Sequence, residues 1–422
     1  MSLVNRFGFS ICVGLIALAL ANPCTAQMNV RLLFEANWEA RMDGLASNIG
    51  GGFVTFSAAE RITIRNNIES QLNTMFSSFT VNFSQTNPGG SFATIDFGST
   101  SGALGQAPLD FMNLTLVQTA QVNPANFGFI LDEFSGLANR SLQISQISTA
   151  LAGTAGHELG HSVGLHHYNS YGTQGISPAT YSNTLGLQNN HVMATGPTGL
   201  GESGRETERT FSNWSNLLLE SAGGANFALR GNTGTALAST VLQEQNFTAA
   251  DVGGTLATAQ ALALSLMPIS GLHAVNLASV IGTGTDVDMF SFTMTSPGTV
   301  TAETRSSGFY ASSINSVLRL LDSSGNLVFG DDDIRFGATT FNSGGGSIDT
   351  TDTFLINVPL LAAGTYFVEV TSFSTTDTGS YNLLIGASMA IPEPSSLVLL
   401  SLAGGVACFR RKRNAGSGNR QF

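Results

Sequence analysis

A chain of 422 residues with 42% hydrophobic content is long enough for two ordinary domains plus appendages and too apolar to be disordered. Its 28 acidic residues outnumber 17 basic ones, which argues against nucleic acid as a partner and suits calcium or a hydrated matrix. With 48 glycines, 11% charged residues and Lys412 as the single lysine, many short strands and turns are expected rather than long surface helices.

Residues 1–26 read as a secretory signal peptide. Arg6 supplies the positive end, Phe7 to Leu20 is an apolar run too short to span a membrane comfortably, and Cys24-Thr25-Ala26 offers small residues for signal peptidase before Gln27. The body then runs as a mixed α/β region over residues 27–222. Val30 to Phe34 is a first strand, and Ser57-Ala58-Ala59-Glu60 is a capping box opening a helix with Ile64, Ile68, Leu72, Met75, Phe76 and Phe79 on one face. Strands are expected at Thr80 to Ser84 and Phe92 to Phe97, around the turn Asn87-Pro88-Gly89-Gly90. Apolar stretches at Phe111 to Val117 and Phe127 to Leu131 precede a long helix from about Ser141 to Val163. Its buried stripe is Ile147, Leu151, Ala155, Leu159 and Val163. Gly153, Gly156 and Gly160 weaken that helix by about 1 kcal/mol each relative to alanine, which implies close packing against the sheet.

The end of this helix carries the chemistry. His157 and His161 lie four apart, on one helical face, so both imidazoles can reach a single metal ion. If the helix ends near Gly164 and the chain turns back, His167 is a natural third ligand and the fourth position is left to water, as a catalytic zinc site requires. Glu158 stands beside a ligand without being needed as one, where it can take a proton from the water and return it to a leaving group. His166 is either exposed or a competitor for the third position, and His191 reads as a loop or supporting histidine.

His157-Glu158-x-x-His161-x-x-Gly164-x-x-His167 resembles the long zinc motif of the metzincin metallopeptidases, and its spacing selects His167 over His166. Asn190-His191-Val192-Met193-Ala194 is similar to the methionine turn of that family, with Met193 under the metal. The resemblance implies a twisted mixed sheet, an active-site helix and a final helix, here Phe211 to Leu219. It also implies zinc and the hydrolysis of a protein or peptide substrate. Thr195 stands where some relatives carry a tyrosine, so no tyrosine role carries over.

Residues 223–245, rich in Gly, Ala, Asn and Thr, read as a linker, part of which could be an edge strand of either neighbour. Over 246–386 short strands recur at Val300 to Glu303, Ser316 to Leu321, Leu327 to Phe329, Phe354 to Val358, Tyr366 to Val370 and Tyr381 to Ile385, the pattern of an all-β sandwich. The overall fold class is therefore α+β. Asp286-Val287-Asp288-Met289-Phe290-Ser291-Phe292, Leu318 to Gly325, Asp331-Asp332-Asp333, Ala363-Gly364-Thr365-Tyr366 and Gly379-Ser380-Tyr381 resemble, in order, the bacterial pre-peptidase C-terminal domain. That resemblance implies a non-catalytic companion of secreted peptidases. Asp331, Asp332 and Asp333 then form either a calcium site or a plain solvated turn.

Residues 387–422 place Pro392-Glu393-Pro394 before an apolar run from Leu397 to Phe409 and the cluster Arg410-Arg411-Lys412-Arg413. This resembles the PEP-CTERM sorting signal of exopolysaccharide-producing bacteria. It implies export across the inner membrane, transient anchoring, and removal of the tag by an exosortase, with surface retention or release as the outcome. Cys12, Cys24 and Cys408 all fall in the two processed segments, so the mature body has no disulfide and no thiol to compete for a metal. With Arg6 and the five basic residues from Arg410 to Arg420 removed, 11 of 17 bases and 27 of 28 acids stay, a net charge of −16. The sequence holds no internal repeat, no phosphate-binding glycine loop and no Ser-His-Asp elbow. The reading is an exported zinc endopeptidase. The competing class is a matrix or adhesion protein that binds exopolysaccharide through the sandwich and carries a vestigial peptidase region.

Overall fold

The computed structural model describes residues 27–389 apart from 50–52, 111–112, 133, 135–136, 168–190, 195–199, 223–228, 231–234, 250, 307–311, 313 and 332–351. Residues 1–26, read above as a signal peptide, and the part from residue 390 onward of the segment read as a sorting tail lie outside the described residues. Among the described residues no helix is long and apolar enough to cross a membrane.

The protein is a mixed α/β structure with several sheets. The first half runs β1 (Met28–Leu33), α1 (Ala36–Ile49), α2 (Ala58–Met75), β2 (Val81–Ser84), β3 (Ala93–Asp96), β4 (Gly105–Gln106), β5 (Thr119–Val122), a 3-10 helix (Pro124–Leu131), α3 (Arg140–Ser162), α4 (Glu202–Arg205) and α5 (Asn213–Glu220). Its sheet has the order β2-β1-β3-β5-β4, parallel throughout except for the edge strand β4, which is antiparallel to β5. Helix α2 starts where expected because Ser57 and Glu60 close a capping box, and it buries Ile64, Ile68 and Leu72. The Glu60 carboxylate also accepts from Arg140 Nε at 2.8 Å and Nη2 at 3.0 Å, while that guanidinium lies 4.0 Å above the Phe56 ring. One arginine thus fastens the start of α3 to the start of α2. The apolar stretch Phe127 to Leu131 is part of the 3-10 helix and not a strand, because Pro124 and the Asn123 cap on Ala125 start a tight turn there.

The second half contains β6 (Ser221–Ala222), β7 (Leu242–Asn246), β8 (Gln260–Ala261), β9 (Ser265–Leu266), β10 (His273–Ile281), β11 (Val287–Met294), β12 (Gly298–Arg305), β13 (Ser316–Leu321), β14 (Leu327–Asp331), β15 (Phe354–Leu360), β16 (Gly364–Ser372) and β17 (Gly379–Met389). Two sheets result. One has the order β15-β12-β17-β10-β7-β6 with β9 on β10, and the other β14-β13-β16-β11-β8. Val275, Leu277, Leu383 and Ile385 of the first pack with Phe290, Phe292, Leu318, Leu320, Val368 and Val370 of the second. The last strand extends to Met389, three residues beyond the boundary expected at 386.

Of the segment 223–245, read as a linker that could in part be an edge strand, the described residues are packed and end in strand β7. Among its described residues Leu229 and Leu237 are buried, Leu229 N–H donates to Leu219 O at 3.1 Å, and Leu237 N–H donates to Leu229 O at 2.8 Å. Strand β7 runs parallel to both β6 and β10, so the sheet continues from the second half to the end of α5. Few large apolar residues are needed to secure such a segment when backbone pairing and three leucines suffice. The outer face of the larger sheet is covered as well. Trp214 and Leu217 of α5 share a core with Leu272, Ala274, Phe354, Ile356 and Leu384. Gly386 leaves the room they occupy: a Cβ there would come within 2.9 Å of Leu217 and 3.0 Å of Trp214.

Candidate metal centre

Helix α3 ends in a turn that the sequence builds with one residue. Gly164 sits at φ 99°, its N–H donates to His161 O at 3.1 Å, and Leu165 N–H donates to Gly160 O at 2.9 Å. This double bond pattern closes the helix and reverses the chain. His167 is thereby returned to the face that carries His157 and His161. The three Nε2 atoms stand 3.1, 3.0 and 3.1 Å from one another.

The other ring nitrogens decide what those atoms are. His157 Nδ1 lies 2.9 Å from Val192 O, and His161 Nδ1 lies 2.8 Å from Leu165 O. A carbonyl only accepts, so both Nδ1 atoms carry hydrogen and both Nε2 atoms carry lone pairs. Lone pairs aimed at one another at this distance repel, and a cation between them removes the repulsion. Tetrahedral bonds of about 2.0 Å to one ion would set the nitrogens about 3.3 Å apart, close to what is found. The donor set therefore fits a metal ion that takes nitrogen ligands. These three histidines are the one group able to do so among the described residues.

Burial keeps the imidazoles neutral. It pushes His161 down to about 4, and it pushes His167 down to about 3 with help from His161. His157 is held well below the ordinary histidine range by burial and then by its two partners. His166, by contrast, is not part of the cluster. It is buried, and burial, His161, Arg305 of β12 and His167 together hold its pKa well down. His191 is buried too, in an isolated bridge to Thr210 that anchors the turn before Met193.

Met193 is fully buried, and its Sδ lies 2.5 Å from where a Cβ on Gly160 would stand. Cβ atoms on Gly156 and Gly153 would collide with Met75 and Arg209 respectively. The three helical glycines thus admit particular side chains, whereas packing against the sheet was expected. Val192, next to Met193, supplies the carbonyl that orients His157. Thr195 lies outside the described residues.

Glu158 is 7% exposed, and among the described residues nothing donates a hydrogen bond to its carboxylate. Burial pushes its pKa up to about 8. Gly105 on the edge strand β4 leaves the space its carboxylate fills, since a Cβ there would overlap it. Glu158, His157 and His167 line a pocket of about 210 Å³ together with Gly105, Thr154, Arg205 and Arg209. Sequence reasoning missed the last four. Arg205 and Arg209 do carry a signal, as two bases four apart in a body that holds only 11.

The acidic triplet is divided. Asp331 ends β14, half-buried and opposite Leu318, while Asp332 and Asp333 lie outside the described residues. Asp286 and Asp288 brace strand ends. Asp286 accepts from Gly282 N–H at 2.7 Å, and buried Asp288 accepts from Ser279 at 2.8 Å and from the Tyr381 hydroxyl.

No family model matches the sequence, and no curated protein matches it. Among solved structures, the pre-peptidase C-terminal domain of a collagenase from Bacillus anthracis is similar over 30% of this chain and 93% of its own. The identity is 14% and the TM-score 0.21.

Proposed function

We propose that the chain is an exported zinc-dependent endopeptidase of metzincin type, with the second half a pre-peptidase C-terminal-like sandwich. The observation that carries this reading is the convergence of three Nε2 atoms, two of them fixed as lone-pair donors by the carbonyls of Val192 and Leu165. The mixed sheet with its edge strand β4 beside Glu158, the buried Met193 turn and the late helix α5 are further support.

His157, His161 and His167 would hold the ion. Zinc bound by neutral imidazoles acidifies water and polarises a carbonyl. The chain's own part is proton handling. Glu158 is buried, and burial draws its carboxylate toward the protonated form, so it accepts a proton from water at Oε and hands it to the departing amine. Gly105 keeps that carboxylate in place without touching its chemistry. The Val192 carbonyl fixes the ring of His157, and the Gly164 turn fixes His167.

The test is metal analysis of the purified chain together with degradation of a protein substrate before and after chelation. About one zinc per chain and chelator-sensitive cleavage are expected. Zinc-loaded protein that cleaves nothing would favour the matrix-binding alternative.

A further inference from the structure

We propose that Arg209, Arg205 and Thr154 form a carboxylate-binding subsite beside the histidine cluster, directing cleavage to bonds next to an acidic residue or a free C-terminus.

Arg209 is 4% exposed. Its Nη1 reaches Val192 O at 3.4 Å, which leaves Nε and Nη2 buried without a partner. Thr154 is equally buried, and its Oγ1 also lacks one. Both side chains line the pocket that holds His157 and Glu158, and Arg205 lines it from the end of α4. A guanidinium withdrawn from water with two of its nitrogens unpaired is costly, and a second one nearby adds repulsion. Folds keep such an arrangement where a ligand completes it.

Among the described residues no anion does so. Among the described residues neither arginine forms an ion pair, although six other arginines do. The stretches next to the site in the chain, 168–190 and 195–199, contain no Asp or Glu. Glu158 does not serve either, since Arg209 Nε and Nη2 reach no partner in the fold. The Arg209 pKa falls to about 9 through burial and then through the charge of Arg205.

The missing acceptor is best matched by a carboxylate. Two free guanidinium nitrogens take its two oxygens in parallel, and a hydroxyl adds a third donor. A peptide offers this group only as an Asp or Glu side chain or as its C-terminus. The guanidinium lies over Gly153, which is one helical turn before His157, or about 6 Å along α3. The carboxylate therefore belongs to the residue adjoining the scissile bond. The cleavage preference rests on the peptidase reading, while the binding itself does not.

Two measurements test this on the full chain. Calorimetric titration with glutarate, and with glutaramide as the uncharged control, should show glutarate binding at least about tenfold tighter. Arg209→Gln, Arg205→Gln and Thr154→Val should each weaken it. Glutarate binding that is absent, or that survives both arginine substitutions because the metal alone holds it, would overturn the subsite. Circular dichroism checks each variant. If Arg209→Gln fails to fold, the variants of half-buried Arg205 and of Thr154 decide.

Matched quenched peptides then carry Glu or Gln beside the scissile bond with an amidated end, or Gln with a free end. Roughly 10- to 100-fold higher kcat/KM is expected for one carboxylate form over the amidated Gln peptide, and the preferred form identifies the source. Equal rates for all three overturn the preference. If no peptide is cleaved at all, the peptidase reading fails while the titration still decides the subsite.

Discussion

The two halves of the molecule treat buried charge in opposite ways. In the sandwich the buried carboxylates of Glu303 and Asp352 are answered from within. Glu303 accepts from Arg305 at 2.8 and 2.9 Å and from Trp214 at 2.9 Å, and Asp352 accepts from Ser306 N–H and Oγ at 2.7 and 2.6 Å. Around the histidine cluster Glu158, Thr154 and two nitrogens of Arg209 are buried and unanswered. A fold that pairs such carboxylates in one half has the means to do so in the other. The unmet hydrogen bonds of Thr154 and Arg209, both lining one 210 Å³ pocket, therefore mark where a ligand is expected.

The comparison can be broken at several points, the largest effect first. His167→Ala should abolish tight metal binding, by more than the roughly 10- to 100-fold that loss of a supporting partner costs. His166→Ala should keep about one metal per chain. Metal analysis separates them, and the reverse result would move the third ligand. Glu158→Ala should retain the metal and lose roughly 10²- to 10⁴-fold in turnover, and wild-type turnover in that variant would end the proton-transfer role.

On the satisfied side, Glu303→Ala leaves Arg305 charged and buried, a loss of about 3–5 kcal/mol in denaturant unfolding. Residues 27–222 expressed alone should then aggregate, since Trp214 and Leu217 lose their cover; a soluble, cooperatively folding fragment would contradict the shared core. Gly156→Ala should cost about 1–3 kcal/mol, because Met75 must move.

The smallest effect is a pH slope. Burial raises the Asp352 pKa to about 7. Its protonated form is favoured in the fold, so its contribution is fully present below the unfolded value near 4 and is lost as pH rises through 7. The difference in melting temperature between wild type and Asp352→Asn should change across that interval. A constant difference would remove Asp352 as the cause.

Much of this was legible in sequence. The Ser57 to Glu60 box set α2, the ligand spacing and Gly164 set the cluster, and Ser316 to Leu321 coincides with β13. What escaped was non-local. β10 offers no clean alternation because both of its faces are buried, and β7 is hidden in Leu-Gln-Glu-Gln-Asn, a segment stabilised by backbone pairing to its neighbours. Arg209 and Thr154 could not be read as partners of a pocket, because only folding lays that guanidinium over Gly153. The helical glycines announced close packing, but their counterparts, Met75, Met193 and Arg209, come from positions far apart in the chain.

The two-faced sheet has a further consequence. Along β10, β15 and β17 successive side chains serve different interiors. Ala274, Ile356 and Leu384 belong with α5, whereas Val275, Leu355 and Leu383 belong with the opposite sheet. A slip of one residue in any of these strands would exchange both interiors at once. Each strand is therefore held in register by two independent fits, and a sandwich moved onto another protein would leave half of its lettering unread.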